Sequence, residues 1–120
     1  MGMKKEYVRR VVVFEEHFKE FRKTLDRATL KKLYQILTLI MTVKVIPSSF
    51  LKAIQGRKGL FEIRIEEEGN IYRVFCCFDE GNLVILFNGF QKKTQHLPVD
   101  QLNKAESLMK KYFAQKKKRL

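Results

Sequence analysis

Five side chains of this sequence could work together on a phosphodiester: Arg64, Arg73, Lys92, Lys93 and His96. Cleaving RNA through its own 2′-hydroxyl requires a base for that proton, cations for the charge on the pentavalent phosphate, and an acid for the leaving 5′-oxygen. Arginine suits the second task, because its forked donors match phosphate oxygens and it keeps its charge. A lysine can act as base when neighbouring cations and burial depress its pKa. His96 is the one group of the set that titrates near neutrality unaided. A plainer account competes: cations on a basic chain meet by chance, Arg64 can pair with Glu62 or Glu66 along its own strand, and His96, just before Leu97-Pro98, can be an ordinary loop residue.

Three strands must position these residues. "LFEIRIEE" alternates Phe61, Ile63 and Ile65 with Glu62, Arg64 and Glu66; "EGN" reads as a turn; "IYRVFCCF" sets Tyr72, Val74, Cys76 and Phe78 against Ile71, Arg73 and Phe75. If both apolar sets share one core, paired residue numbers sum to an odd value near 137 or 139, and Arg64 and Arg73 lie opposite or diagonal on one face. Two like charges placed so are destabilising unless something anionic bridges them. The third strand, "LVILFNGF", has an almost continuous apolar character and reads as central, buried on both faces. It exits through Phe90 into "QKKTQHLP", which has no acidic residue before Asp100.

The flanking elements are helical after an initial strand. "YVRRVVVF" is short and rich in β-branched residues, which predicts a strand. Phe14, Phe18, Phe21, Leu25 and Ala28, then Leu30, Leu33, Leu37 and Ile40, recur at helical spacing, and Asp26 can cap a second helix after a sharp break. That spacing makes Phe18 and Phe21 core residues rather than base-stacking aromatics. After Pro47 a short turn of helix is expected through "FLKAI", followed by the basic loop "QGRKG". Its glycines lack Walker spacing, and a plain turn is the simpler reading, yet Arg57 and Lys58 within it, with Tyr72 beside Arg73, are further candidates for RNA contact. Beyond Pro98 a helix is predicted with Val99, Leu102, Ala105, Met109 and Tyr112 on its apolar stripe. His17, between Glu16 and Phe18, reads as surface decoration.

Composition bounds the partner. Among 120 residues, 25 Lys+Arg against 13 Asp+Glu give a net charge of +12, which points to a polyanion, most simply nucleic acid. Removing "KKKR" (Lys116 to Arg119), which reads as a solvated end, still leaves +8. The length and a 45% hydrophobic content fit one domain, 1–115, with a basic tail at 116–120. No apolar run approaches a membrane span, and the N-terminal apolar stretch is too short for a signal peptide. The two cysteines, Cys76 and Cys77, are adjacent in a strand pattern, point to opposite faces, and make a poor disulfide or metal pair. A cytoplasmic protein with no metal and no cofactor is expected.

From Gly59 to Pro98 the sequence resembles the RelE/HigB toxins of bacterial type II toxin–antitoxin systems, in particular their phage-derived Gp49-like branch. The resemblance is carried by Leu60, Glu62, Arg64, Gly69, Tyr72-Arg73, Leu83 to Phe87, and Phe90-Gln91-Lys92-Lys93-Thr94. "VVVFEEHFKEF" and "LPVDQLNKAESLMKKYF" are similar to the family's first strand and helix and to its last helix, so nearly the whole chain is covered. The resemblance implies an α+β fold: a helical hairpin on a small curved antiparallel sheet of about four strands, with a C-terminal helix. It also implies a metal-independent endoribonuclease that cleaves mRNA in the ribosomal A site, inhibits translation, and is held in check by a cognate HigA-like antitoxin in a toxin–antitoxin hetero-oligomer. By position, Arg73 falls on the family's transition-state arginine, Arg64 on a basic residue of the second strand, and Lys92 and Lys93 on the basic pair after the last long strand. Some relatives carry a lysine where Glu62 stands and a C-terminal Tyr or His as acid or base; Tyr112 or His96 are the candidates here. Two other functions are consistent with the fold: a ParE-like toxin that binds DNA gyrase without cutting RNA, and a non-catalytic RNA-binding protein.

Overall fold

The structure, a computed structural model, describes residues 6–119. Strand β1 (Arg10–Val13) leads into helix α1 (His17–Lys23) and helix α2 (Arg27–Thr42). Both helices follow from the apolar stripe, which buries Phe18 and Phe21 of α1 and Leu33, Ile36, Leu37 and Ile40 of α2. They are separate because Asp26 caps α2, its carboxylate accepting the Thr29 N–H at 2.8 Å.

The segment expected to form a turn of helix after Pro47 is instead strand β2 (Leu51–Ala53), which pairs antiparallel with strand β3 (Phe61–Glu67) in the register Leu51↔Ile63. A one-turn helix has little stability of its own, and the outer edge of β3 offers backbone partners that outweigh it. Strand β4 (Asn70–Asp79) and strand β5 (Leu83–Lys92) complete a sheet of order β1-β5-β4-β3-β2. The sheet is therefore five-stranded and mixed, rather than antiparallel with about four strands, because β1 joins the far side of β5 in parallel.

The β3–β4 hairpin settles the register question. Glu68 and Gly69 both have positive φ, 49° and 79°, the signature of a tight two-residue turn whose twist matches the strands. That turn fixes the numerical sum at 137, so Arg64 stands directly opposite Arg73. Between β4 and β5 the pairing runs Val74↔Gly89 and then Cys76↔Leu86, so β5 advances three residues while β4 advances two. The extra residue lets Phe87 and Phe90, three apart, join one core cluster.

Each face of the sheet packs a separate core. Ile63, Ile65, Val74, Cys76, Val84 and Leu86 meet α1 and α2; Phe75, Cys77, Ile85, Phe87 and Phe90 meet helix α3 (Val99–Lys118) through Ala105 and Leu108. Double coverage explains why β5 is apolar from Leu83 to Phe87, with its residues 84–88 all buried. The segment set apart as a basic tail is continuous with α3 through Lys118, and Lys116 Nζ lies 2.7 Å from Asp79 Oδ1, which ties that turn to the sheet. Val99, placed on the apolar stripe by its spacing, is 63% exposed, and Leu108 takes the inward place that spacing had not assigned. No described helix is long and apolar enough to cross a membrane.

Candidate nucleic-acid interface

Strand alternation sends Glu62, Arg64, Arg73, Phe90 and Lys92 to the α3 side of the sheet. Arg64, Arg73 and Phe90 form one cross-strand row, and Glu66, Ile71 and Lys92 form the next. Lys92 is diagonal to Arg73 across the β4–β5 ladder, a separation of roughly 7 Å between side-chain roots. Arg64, Arg73 and Lys92 thus share one surface.

The two arginines are not equivalent. The Arg73 side chain is 2% exposed, whereas that of Arg64 is 31% exposed. A carboxylate stands between them: Glu62 Oε2 is 3.3 Å from Arg73 Nε, and Glu62 Oε1 is 3.9 Å from Arg64 Nε. Arg73 also donates from an Nη to the Tyr72 carbonyl at 3.0 Å. Burial pulls the Arg73 pKa below its usual range; Glu62 opposes that shift and the Arg64 charge adds to it. The guanidinium nonetheless keeps its proton, as arginine in proteins does. Glu62 is thus the anion that makes the paired arginines tolerable. Sequence reading paired it with Arg64 alone; its spacing of two from Arg64 was the available sign that it shares the face of both.

The remaining candidates are more scattered. Lys92, half-buried, and the exposed Lys93 line a groove of about 690 Å³ with Asn70, Ile71, Gln91 and Thr94, beside the β3–β4 turn. His96 is exposed in the loop before α3, where its carbonyl accepts from Thr94 Oγ1 at 2.9 Å. Tyr72 lies on the opposite face of the sheet from Arg73, tilted against Phe21 with ring centroids 6.4 Å apart. Arg57 is bound to α3, donating to Asn103 at 2.9 Å and to Glu106 at 2.8 Å, while Lys58 next to it is exposed. His17 is more than decoration: it is half-buried, with Nε2 3.3 Å from Glu15 Oε1.

Three other chemically capable groups, Tyr112 and the two cysteines, are committed elsewhere. Tyr112 donates to Asp79, six residues along β4 from Arg73 and hence about 20 Å away at strand rise. Burial, followed by Asp79, pushes the Tyr112 hydroxyl up to about 12. Burial also pushes both thiols up, Cys77 to about 12, which leaves them unreactive at neutral pH. Among the described residues no three His, Cys, Asp or Glu side chains are placed to hold a metal.

In this architecture two helices cover one face of a five-stranded sheet and a C-terminal helix covers the other. The RelE–RelB complex from Pyrococcus horikoshii OT3 contains a chain that this one resembles with a TM-score of 0.54 over 72% of this chain and 97% of that one, at 13% sequence identity. The phage-derived protein Gp49-like family matches residues 19–110. The chain belongs to that family. Comparison with curated proteins gives no match.

Proposed function

We propose that this chain is the toxin of a type II toxin–antitoxin system and acts as a ribosome-dependent endoribonuclease on mRNA. The observation that carries the reading is the row Arg64–Arg73 with Lys92 diagonal to it, three cations on one sheet surface. Such a surface suits a phosphodiester, whose charge rises as the 2′-oxygen attacks. Arg64, the more exposed arginine, takes a phosphate oxygen; Arg73 stabilises the transition state from below; Lys92 and Lys93 hold the adjoining backbone along their groove. His96 stands in the loop that leaves this surface and is the candidate for proton transfer. A gyrase poison has no need of this arrangement.

A cognate antitoxin is part of the proposal. The structural relative was solved with RelB bound, and a basic, substrate-binding face is what an inhibitory partner covers. The net charge of +12 favours an acidic partner segment. The chain would work in the cytoplasm, where mRNA and ribosomes are found.

Primer extension on an mRNA translated by purified ribosomes tests the reading, with wild type, Arg64→Gln, and a ribosome-free control. Cuts that require both the ribosome and Arg64 are expected. Salt-sensitive RNA binding without cuts would replace the nuclease with a binding protein, and inhibited gyrase supercoiling without cuts would replace it with a ParE-like toxin.

A further inference from the structure

The contacts of Glu62 have an unusual form. Its two carboxylate oxygens address two different guanidinium groups, one each, at 3.3 and 3.9 Å. Two non-bridging oxygens of a phosphodiester could bridge the same pair in the same manner. Neither contact is aligned as a hydrogen bond: Glu62 Oε2, Arg64 Nε and Arg73 Nε are all occluded from solvent and without a hydrogen-bond partner among the described residues. Three orphaned polar atoms at one point are exceptional, since buried polar groups are almost always satisfied. The attraction here is electrostatic and loosely directed, so another anion can take it over.

Burial gives this exchange a direction. Arg73 is 2% exposed, whereas Arg64 is 31% exposed. An incoming phosphate can meet Arg64 at once, whereas Arg73 is covered and already faces the Glu62 carboxylate. We propose that Glu62 is a positioning residue that occupies the phosphate seat between Arg64 and Arg73 in the free protein and is displaced when an RNA phosphate binds. In the free state it relieves the repulsion of the cross-strand arginine pair; in the bound state the phosphate does so. Other charges on this surface, Glu66 and Lys92, lie one row further along and leave the seat itself to Glu62. The inference deepens the nuclease reading, which names Arg73 as a phosphate contact.

The test is fluorescence anisotropy of a short single-stranded RNA with wild type, Glu62→Gln, Arg73→Gln and the double variant, with Glu66→Gln as a control for loss of one negative charge on the same surface. Glu62→Gln is expected to bind about tenfold tighter, the gain to vanish when Arg73 is also replaced, and Glu66→Gln to gain less than about twofold. A folded Glu62→Gln that binds no tighter than Glu66→Gln overturns the exchange. Where Glu62→Gln fails to fold, carboxyl-carbon NMR of the wild type decides: titration with the same RNA must shift the Glu62 signal saturably, and a signal unmoved while Arg64 responds overturns it. The ribosome cleavage assay is a separate readout, so an Arg73-dependent gain in binding without cleavage keeps the exchange and discards the nuclease.

Discussion

Replacing Arg73 by Met should destabilise the fold chiefly by stranding Glu62. The substitution keeps much of the side-chain volume but removes the closer of the two cations around a carboxylate whose side chain is only 11% exposed. Breaking a buried pair by removing one partner costs about 3–5 kcal/mol. Arg64 remains within 3.9 Å and reaches solvent, which offsets part of that loss, so about 2–3 kcal/mol is expected. Glu62→Gln leaves Arg73 buried beside Arg64 without its anion and should cost a similar amount. Combining the two removes both buried charges, and the double variant should be at least about 1 kcal/mol more stable than the sum of the single losses predicts. Equilibrium urea unfolding at pH 7, followed by circular dichroism, measures all four proteins. Strictly additive losses, or a loss below about 0.5 kcal/mol for Arg73→Met, would refute the idea that the carboxylate and Arg73 depend on each other.

Three further outcomes are expected. Covering of the Asp79 side chain raises its pKa, but Lys116, Tyr112 and the Glu80 N–H together pull it below the ordinary range; its contribution is present above the unfolded carboxylate pKa and is lost as pH falls through the lower folded value. The difference in melting temperature between wild type and Asp79→Asn should therefore be constant near neutrality and shrink below about pH 4, and a constant difference down to pH 2 would contradict it. A Cβ on Gly89 would lie 2.5 Å from the Phe21 ring, itself buried in the core, so Gly89→Ala should lower stability by about 1–3 kcal/mol in urea titrations. If Lys92 and Lys93 each contact phosphate, changing both to Gln should reduce the slope of log affinity against log salt for single-stranded RNA by about 1.4, with an unchanged slope excluding them.

Local patterns determined much of this protein. The 3.6-residue stripe specified α1 and α2, the carboxylate at Asp26 specified the break between them, and period-two alternation specified which faces of β3 and β4 carry charge. Adjacent cysteines in a strand had to diverge, and they do, Cys76 joining one core and Cys77 the other. These features were legible because the forces that set them act between residues a few positions apart.

Other features required the assembled chain. β2 exists because β3 offers it an edge, and β1 joins the sheet in parallel although more than 60 residues separate it from β5 in sequence. Alternation allowed two registers for the arginine pair, and the positive φ values at Glu68 and Gly69 selected the one that sets Arg64 opposite Arg73. Burial made the further distinction that residue types could not: Arg57 was drawn to α3, and Arg73 was covered while Arg64 stayed accessible. Sequence determined which cations share a surface, because strand geometry is local; tertiary packing decided which of them water and a phosphate can reach, because solvent exposure depends on every element that closes over the site.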